Sequence, residues 1–226
     1  MRIAALVPTS LVDYPGFIAA VLFTQGCNLR CGYCHNPALL DGERPGSVSA
    51  ADVLSHLRRR KGVLDGLVMS GGEPTLQFGL TEFLGKVKEN GFLVKLDTNG
   101  TVPLVLEQLI RGKLLDFVAM DIKAPPERYR EICGPAADLA AVRESVRLLR
   151  RAGIQTEFRT TLAPGLGMDD LREIMAWIGP SPRFVLQRYR AATDRQNGAS
   201  CENGNRREIA MAFQKRFSIC QLRGFS

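Results

Sequence analysis

Histidine is scarce in this chain, with two residues, His35 and His56, among 226. No Ser/His/Asp constellation can be assembled around either of them, which argues against hydrolysis driven by an imidazole base. Long apolar runs are missing too. Nothing approaches the roughly 18–20 uninterrupted apolar residues of a membrane span, and the N-terminal MRIAALVPTSLVDYPG has no signal-peptide pattern ahead of its Pro and Asp. The expected location is therefore cytoplasmic. Aromatic residues make up 7% of the chain and fall mainly in expected strands and core-facing helix positions. They do not interleave with basic residues on one face, as a single-stranded nucleic-acid binder requires. No short-period repeat and no second domain is legible, so residues 1–226 read as one domain with a lead-in at 1–16.

What the chain does carry is 45% hydrophobic residues, enough to fill a core at this length, and a formal net charge of +7. The positive balance favours acidic partners. Its densest run, Arg58 to Lys61, closes an expected helix, where cations complement the dipole without any ligand. Short β-branched or apolar runs alternate with amphipathic segments. Strands are expected at 17–24, 66–70, 92–98, 116–123, 154–162 and 183–190. The helices are expected at 50–61 with Ser49 as N-cap, 79–90, 102–112, 140–153 with Gly153 closing it, 168–179 and 205–217. That alternation predicts a parallel α/β sheet, and its six βα units are too few for a closed eight-unit barrel. The expected architecture is a partial, open TIM-like barrel. Residues 192–205, rich in Gly and Asn, read as a long loop.

Unusual residues cluster at the carboxyl ends of the expected strands, where active sites form in parallel α/β folds. After the first strand comes TQGCNLRCGYCHNP at 24–37, after the second SGGEP at 70–74, after the third DTNG at 97–100, and on the fourth MDIK at 120–123. Six Cys in a reducing compartment point to metal binding or catalysis rather than disulfides. Cys27, Cys31 and Cys34 are one thiol short of a closed zinc site. His35 is the nearby fourth candidate, but it abuts Cys34, which makes joint chelation awkward. Cys133, Cys201 and Cys220 are scattered singly and read as buried or incidental thiols rather than ligands. An iron–sulfur cubane held by three thiolates would leave one iron open to an exchangeable small molecule.

CNLRCGYC, with aromatic Tyr33 before the third Cys, is similar to the CxxxCxxC signature of the radical S-adenosylmethionine superfamily. VDYPG at 12–16, LDTNG and MDIK resemble more narrowly the glycyl-radical-enzyme activases, in particular those serving anaerobic ribonucleoside-triphosphate reductase. This resemblance implies a 4Fe–4S cluster on Cys27, Cys31 and Cys34, with S-adenosylmethionine filling the open iron. It implies cofactor contacts from Tyr33, Gly71, Gly72, Glu73, Asp97, Thr98, Asn99, Asp121, Lys123 and Arg159, and a monovalent cation near Asp97 and Asp121. Glu73 is expected to accept from the methionine ammonium. On the register expected for the sixth strand, Gln187 or Arg190 would face the same mouth.

The reaction so implied is reductive cleavage of the cofactor, fed by a flavodoxin- or ferredoxin-type donor, and hydrogen abstraction from a glycine Cα of a partner enzyme. It needs alignment and exclusion of water rather than a general acid or base. Relatives that activate pyruvate formate-lyase carry a His after the sixth strand. This chain has LQRYR there, which speaks against that partner. Two other readings compete: a radical enzyme acting on a small molecule, such as a relative of 7-carboxy-7-deazaguanine synthase, and a zinc-stabilised nucleic-acid-binding module.

Overall fold

A computed structural model describes residues 1–179, 183–189, 208, 210, 211, 213, 214 and 220–224. Its eight strands are β1 (Ile3–Ser10), β2 (Ala19–Thr24), β3 (Gly66–Gly71), β4 (Leu93–Thr98), β5 (Phe117–Asp121), β6 (Gln155–Leu162), β7 (Phe184–Arg188) and β8 (Cys220–Arg223). They form one sheet in chain order. From β2 to β8 every pairing is parallel, and among the described residues β1 and β8 do not pair with each other, leaving the barrel open between them. The expected architecture is therefore present, with β1 and β8 added at its two edges. β1 lies inside the stretch read as a lead-in and runs antiparallel to β2. It shows weak apolar alternation and contains Pro8, which suits only an edge.

Helices α1 (Ala50–Arg59), α2 (Leu80–Glu89), α3 (Pro103–Arg111), α4 (Tyr129–Cys133), α5 (Leu139–Arg151) and α6 (Met168–Ile178) follow β2 to β6. Ser49 caps α1 as expected, accepting from Asp52 N at 3.1 Å while Asp52 reaches back to it. Beyond α5, Gly153 takes φ +65°, the left-handed turn that stops a helix. The short α4 lies within PERYREIC at 126–133, too brief a pattern to announce a helix on its own.

Period-two alternation divides the sheet into two faces. Ala20, Leu22, Leu67, Met69, Val94, Leu96, Val118 and Met120 point outward into the large core beneath the helices. The inward face begins with a smaller apolar cluster of Ala19, Val21, Val68, Phe117 and Ala119, closed by Tyr14. Tyr14 of VDYPG, 2% exposed, packs edge-on to Phe17 and Phe117 at 5.0 and 6.0 Å. Those partners stand at the amino ends of β2 and β5, so VDYPG plugs the floor of the barrel. Above that floor the inward face turns polar, and this leaves one wet mouth at the carboxyl ends. No helix among the described residues is long and apolar enough to cross a membrane. The expected loop at 192–205, along with Arg190 and Cys201, lies outside the described residues.

Candidate active site

The 25–49 loop that carries the cysteines is tied down by its own backbone and by Gln25. The buried Gln25 amide donates to Ala38 O (2.9 Å) and Asp41 O (2.8 Å), while Gly26 N donates to Leu39 O (2.8 Å). SGGEP interlocks with it: Gly72 N donates to Thr24 O (2.9 Å) and Glu73 N to Gly26 O (2.8 Å). The approach is so close that a Cβ on Gly72 would stand 2.1 Å from Gly26 O, and one on Gly71 2.2 Å from Thr24 N. Gly71 also has φ +117°, which L side chains rarely adopt. Gly72→Ala is accordingly expected to push Gly26, and with it Cys27, out of place. A loss of about 2–4 kcal/mol in thermal unfolding and reduced iron uptake would show it. Gly85→Ala in α2, where a Cβ meets nothing within 4 Å, serves as the neutral or stabilising control.

Glu73 is fully buried. Oε1 accepts from Thr75 N (3.0 Å), the Thr75 hydroxyl (2.5 Å) and the Thr98 hydroxyl (2.7 Å), and Oε2 accepts from Asn99 N (2.7 Å). Burial still pushes its carboxyl above the ordinary range, against those bonds. The carboxylate thus stitches SGGEP to DTNG. Oε2, with a single donor, keeps capacity to accept one further bond. DTNG in turn reaches the cysteines: Asn99 Nδ2 donates to Asn28 Oδ1 (3.1 Å) and approaches Cys27 Sγ at 3.8 Å.

The opposite wall is a ladder of charge across β4, β5 and β6. Lys95 pairs with Asp97, and Arg159 lies 3.3 Å from Asp97 and 2.8 Å from Asp121. Lys123 lies 3.3 Å from the other oxygen of Asp121. Arg159 is 8% exposed and Lys95 1%. Burial alone would raise the Asp121 carboxyl, yet Arg159 and Lys123 outweigh it and hold it at about 2. Asp97 is likewise lowered, because Arg159 and Lys95 overcome its desolvation. Burial would weaken the Lys123 charge, but Asp121 raises its pKa well above the usual lysine value.

Between the walls is a cavity of about 340 Å³, lined by Cys27, Cys31, Cys34, Gly71, Asp121 and Lys123 among others. All ten residues expected to meet a cofactor line it, as do Gln187, Thr161 and His35. His35 stacks on Tyr189 at 5.7 Å. The hydroxyl of Tyr33 donates to Lys123 O (3.2 Å). His56 lies away from the cavity, its Nε2 3.1 Å from Pro8 O.

Three residues of this neighbourhood were not foreseen. Lys95 had a readable signal, a lone cation two positions before Asp97 within FLVKLDT. Asn28 had none beyond its place in the Cys loop. Cys133, expected to be a buried or incidental thiol, is fully buried and lies behind the Cys loop, its carbonyl accepting from Arg30 N at 2.8 Å. Burial pushes the Cys27 thiol up.

The donor set suits a cluster better than a single ion. Among the described residues no three His, Cys, Asp or Glu side chains converge closely enough to hold one metal ion. Cubane ligands each take a separate iron, so their sulfurs stand further apart than those around one zinc. Residues 21–178 match the Radical SAM superfamily model. The chain belongs to that superfamily. It is 33% identical over 193 residues to a Methanocaldococcus jannaschii protein named as a glycyl-radical enzyme activating enzyme, covering 83% of this chain and 79% of that one. It is also 33% identical to the Clostridium pasteurianum pyruvate formate-lyase-activating enzyme over 171 residues, which is 73% of this chain and 70% of the relative.

Solved structures share the fold at lower identity. Streptococcus suis SuiB bound to its precursor peptide SuiA superposes with a TM-score of 0.69 at 18% identity, over 90% of this chain and 48% of that one. The enzyme anSMEcpe with bound AdoMet gives 0.66 at 16%, over 85% and 57%. This chain therefore spans about half the length of the solved proteins it superposes on. A radical SAM enzyme of this superfamily carries a 4Fe–4S cluster and S-adenosylmethionine, and the three thiols facing an open, polar cavity fit both.

Proposed function

We propose that this radical SAM enzyme is an activase that forms a glycyl radical on a partner enzyme, with anaerobic ribonucleoside-triphosphate reductase the favoured partner. The observation that carries the reading is the cavity itself: the CxxxCxxC thiols face a ladder of paired charges across an open-sided barrel, and two relatives at 33% identity are named activating enzymes. Cys27, Cys31 and Cys34 would hold the cluster, which would supply the electron for reductive cleavage of S-adenosylmethionine bound beside it.

The chain's own residues supply position and field. Lys123 and Arg159 are the cations available to the methionine carboxylate, while backbone carbonyls around Ser70 and Gly71 are the acceptors for its ammonium. Glu73 and Thr98 act from behind, holding the Gly71–Gly72 backbone against the Cys loop. Asn99 braces Cys27, and Tyr33 offers an apolar edge to the adenine. Asp97 and Asp121 hold Arg159 in place, and a monovalent cation there would have to share both carboxylates with it. No residue has to move a proton, because the transferred species is a hydrogen atom. The open side of the sheet gives a partner's glycine loop room to enter, and a flavodoxin- or ferredoxin-type protein is the proposed electron source.

Anaerobic reconstitution with iron and sulfide, reduction and addition of S-adenosylmethionine should yield methionine and 5′-deoxyadenosine in equal amounts. With the reductase present, a glycyl-radical doublet is expected in the electron paramagnetic resonance spectrum. Deuterium placed at the target glycine Cα should appear in the 5′-deoxyadenosine. Cofactor cleavage without label transfer from the reductase or from pyruvate formate-lyase, but with turnover of a deazaguanine precursor, would replace this reading with the small-molecule one.

A further inference from the structure

A second, smaller cavity of about 170 Å³ stands at the open edge of the sheet, lined by His35, Gln187, Arg188, Arg223 and Gly224. His35 and Gln187 line the larger cavity as well, so the two adjoin. The register of β7 and β8 sets this corner by placing Gln187 beside Arg223, and a period-two strand turns both to the inward face. From there Arg223 reaches across β7 to Glu157 of β6, which is fully buried. The two Glu157 oxygens accept from Nη1 and Nη2 of Arg223, each at 3.3 Å. Arg183 approaches the same carboxylate at 3.4 Å.

One buried carboxylate thus anchors two guanidiniums, and one positive charge is left over. Neutralising Glu157 needs a single cation, which Arg183 supplies. The Arg223 side chain is 40% exposed, and the N–H groups it does not spend on Glu157 have no partner among the described residues. Arg188 forms no ion pair and the Gln187 side-chain amide no hydrogen bond among those residues either. No acidic side chain lines the small cavity. Its walls are therefore donors and positive charge, held at one end by a buried acid, and the group that complements them is an oxyanion.

We infer that this side pocket is a subsite for a carboxylate of the hydrogen-donor substrate, held by Arg223 and Arg188 with Gln187 between the pocket and the cofactor cavity. A carboxylate is the oxyanion that a polypeptide carries. On the activase reading proposed above, on which this assignment of the source rests, it is an Asp or Glu side chain near the target glycine. Anchoring that side chain at the edge would align the glycine Cα in the adjoining cavity, the positioning that hydrogen transfer requires.

The test uses the reconstituted, oxidised enzyme with S-adenosylmethionine and three probes: acetyl-Gly-Asp-amide, acetyl-Gly-Asn-amide and succinate, their affinities read by saturation-transfer NMR. The Asp peptide should bind about tenfold more tightly than its Asn twin. That gap should close in Arg223→Gln and in Arg188→Gln, and persist in Arg111→Gln, an exposed arginine of α3. Arg188→Gln leaves both Glu157 contacts in place, so it tests the pocket even where Arg223→Gln weakens the fold. Equal binding of the two peptides, or a gap that survives both pocket variants, would overturn the inference. A loss of S-adenosylmethionine affinity in Arg188→Gln would also overturn it, because the pocket would then belong to the cofactor. Succinate binding as tightly as the Asp peptide, with the same arginine dependence, would support the subsite and assign it to a free acid. Absence of a glycyl radical on the reductase, with the peptide gap intact, would remove the proposed partner and leave the subsite standing.

Discussion

Cys27→Ala, Cys31→Ala and Cys34→Ala combined will leave the chain colourless after anaerobic reconstitution, without cluster iron, and 5′-deoxyadenosine will fall to background. Each single change should do nearly the same, because the remaining two thiolates and a half-buried loop cannot hold a cubane against exchange into solvent. All three side chains are only partly buried, so their loss removes little apolar packing. Cluster-free wild type and triple variant should unfold within about 1 kcal/mol of one another. That pairing of a complete functional loss with an almost unchanged fold separates ligands from structural thiols. Cys133 is the internal contrast: its replacement should keep the iron. Iron analysis, visible absorbance and product quantification read the functional half, and thermal melts of the cluster-free forms read the other.

Much of this site is local in sequence, which is why it could be read there. The Cys spacing, the SGGEP turn and the polar residues ending β4 and β5 each lie within a few positions of a strand end, and a parallel sheet brings such ends together whatever the details of packing. Lys95 is of the same kind, since a period-two strand must put it on the face of Asp97. Glu73 shows the limit of that reasoning. It lines the cavity as expected, and its carboxylate also accepts from Thr75, Thr98 and Asn99, partners that the residue type and its place in the turn did not announce. Which way a carboxylate in a turn points depends on backbone angles that composition does not specify.

Cys133 shows a different limit. It lies about a hundred residues from Cys31, on a five-residue helix whose position is set by the crossover from β5 to β6. Nothing local marks it as different from Cys220, which is buried in β8, away from the cavity. The strand β1 was obscured for a third reason. An edge strand needs only one apolar face and tolerates Pro8, so its pattern is weak.

Arg159→Met should be the most damaging single change on the wall opposite the cysteines. Methionine keeps much of the apolar volume of the side chain but removes the charge shared by Asp97 and Asp121. Deleting one member of a buried, hydrogen-bonded ion pair costs about 3–5 kcal/mol, or roughly 10 °C in melting temperature for a chain of this size. The effect should depend on pH in a definite direction. Asp121 titrates at about 2 in the folded chain and near 4 when unfolded, so its stabilising contribution is complete above about pH 4 and is lost as pH falls towards 2. Without the guanidinium, desolvation and the facing Asp97 act on Asp121 with only Lys123 to oppose them. Both carboxyls should move up, and the acid-unfolding limb should begin at a higher pH than in the wild type.

The same change tests how the cavity is balanced. In the wild type, S-adenosylmethionine affinity should be indifferent to replacing potassium with choline, because Arg159 already supplies the positive charge between the carboxylates. In Arg159→Met, affinity should drop by at least about tenfold, the 1.4 kcal/mol expected for losing one charge-assisted contact, and part of that loss should be recovered by potassium or sodium. Recovery follows because two carboxylates without a guanidinium form a hard-oxygen site for a small cation. Potassium dependence already present in the wild type would mean that Arg159 leaves the pair when the cofactor binds, and the fixed ladder described here would then apply only to the cofactor-free enzyme.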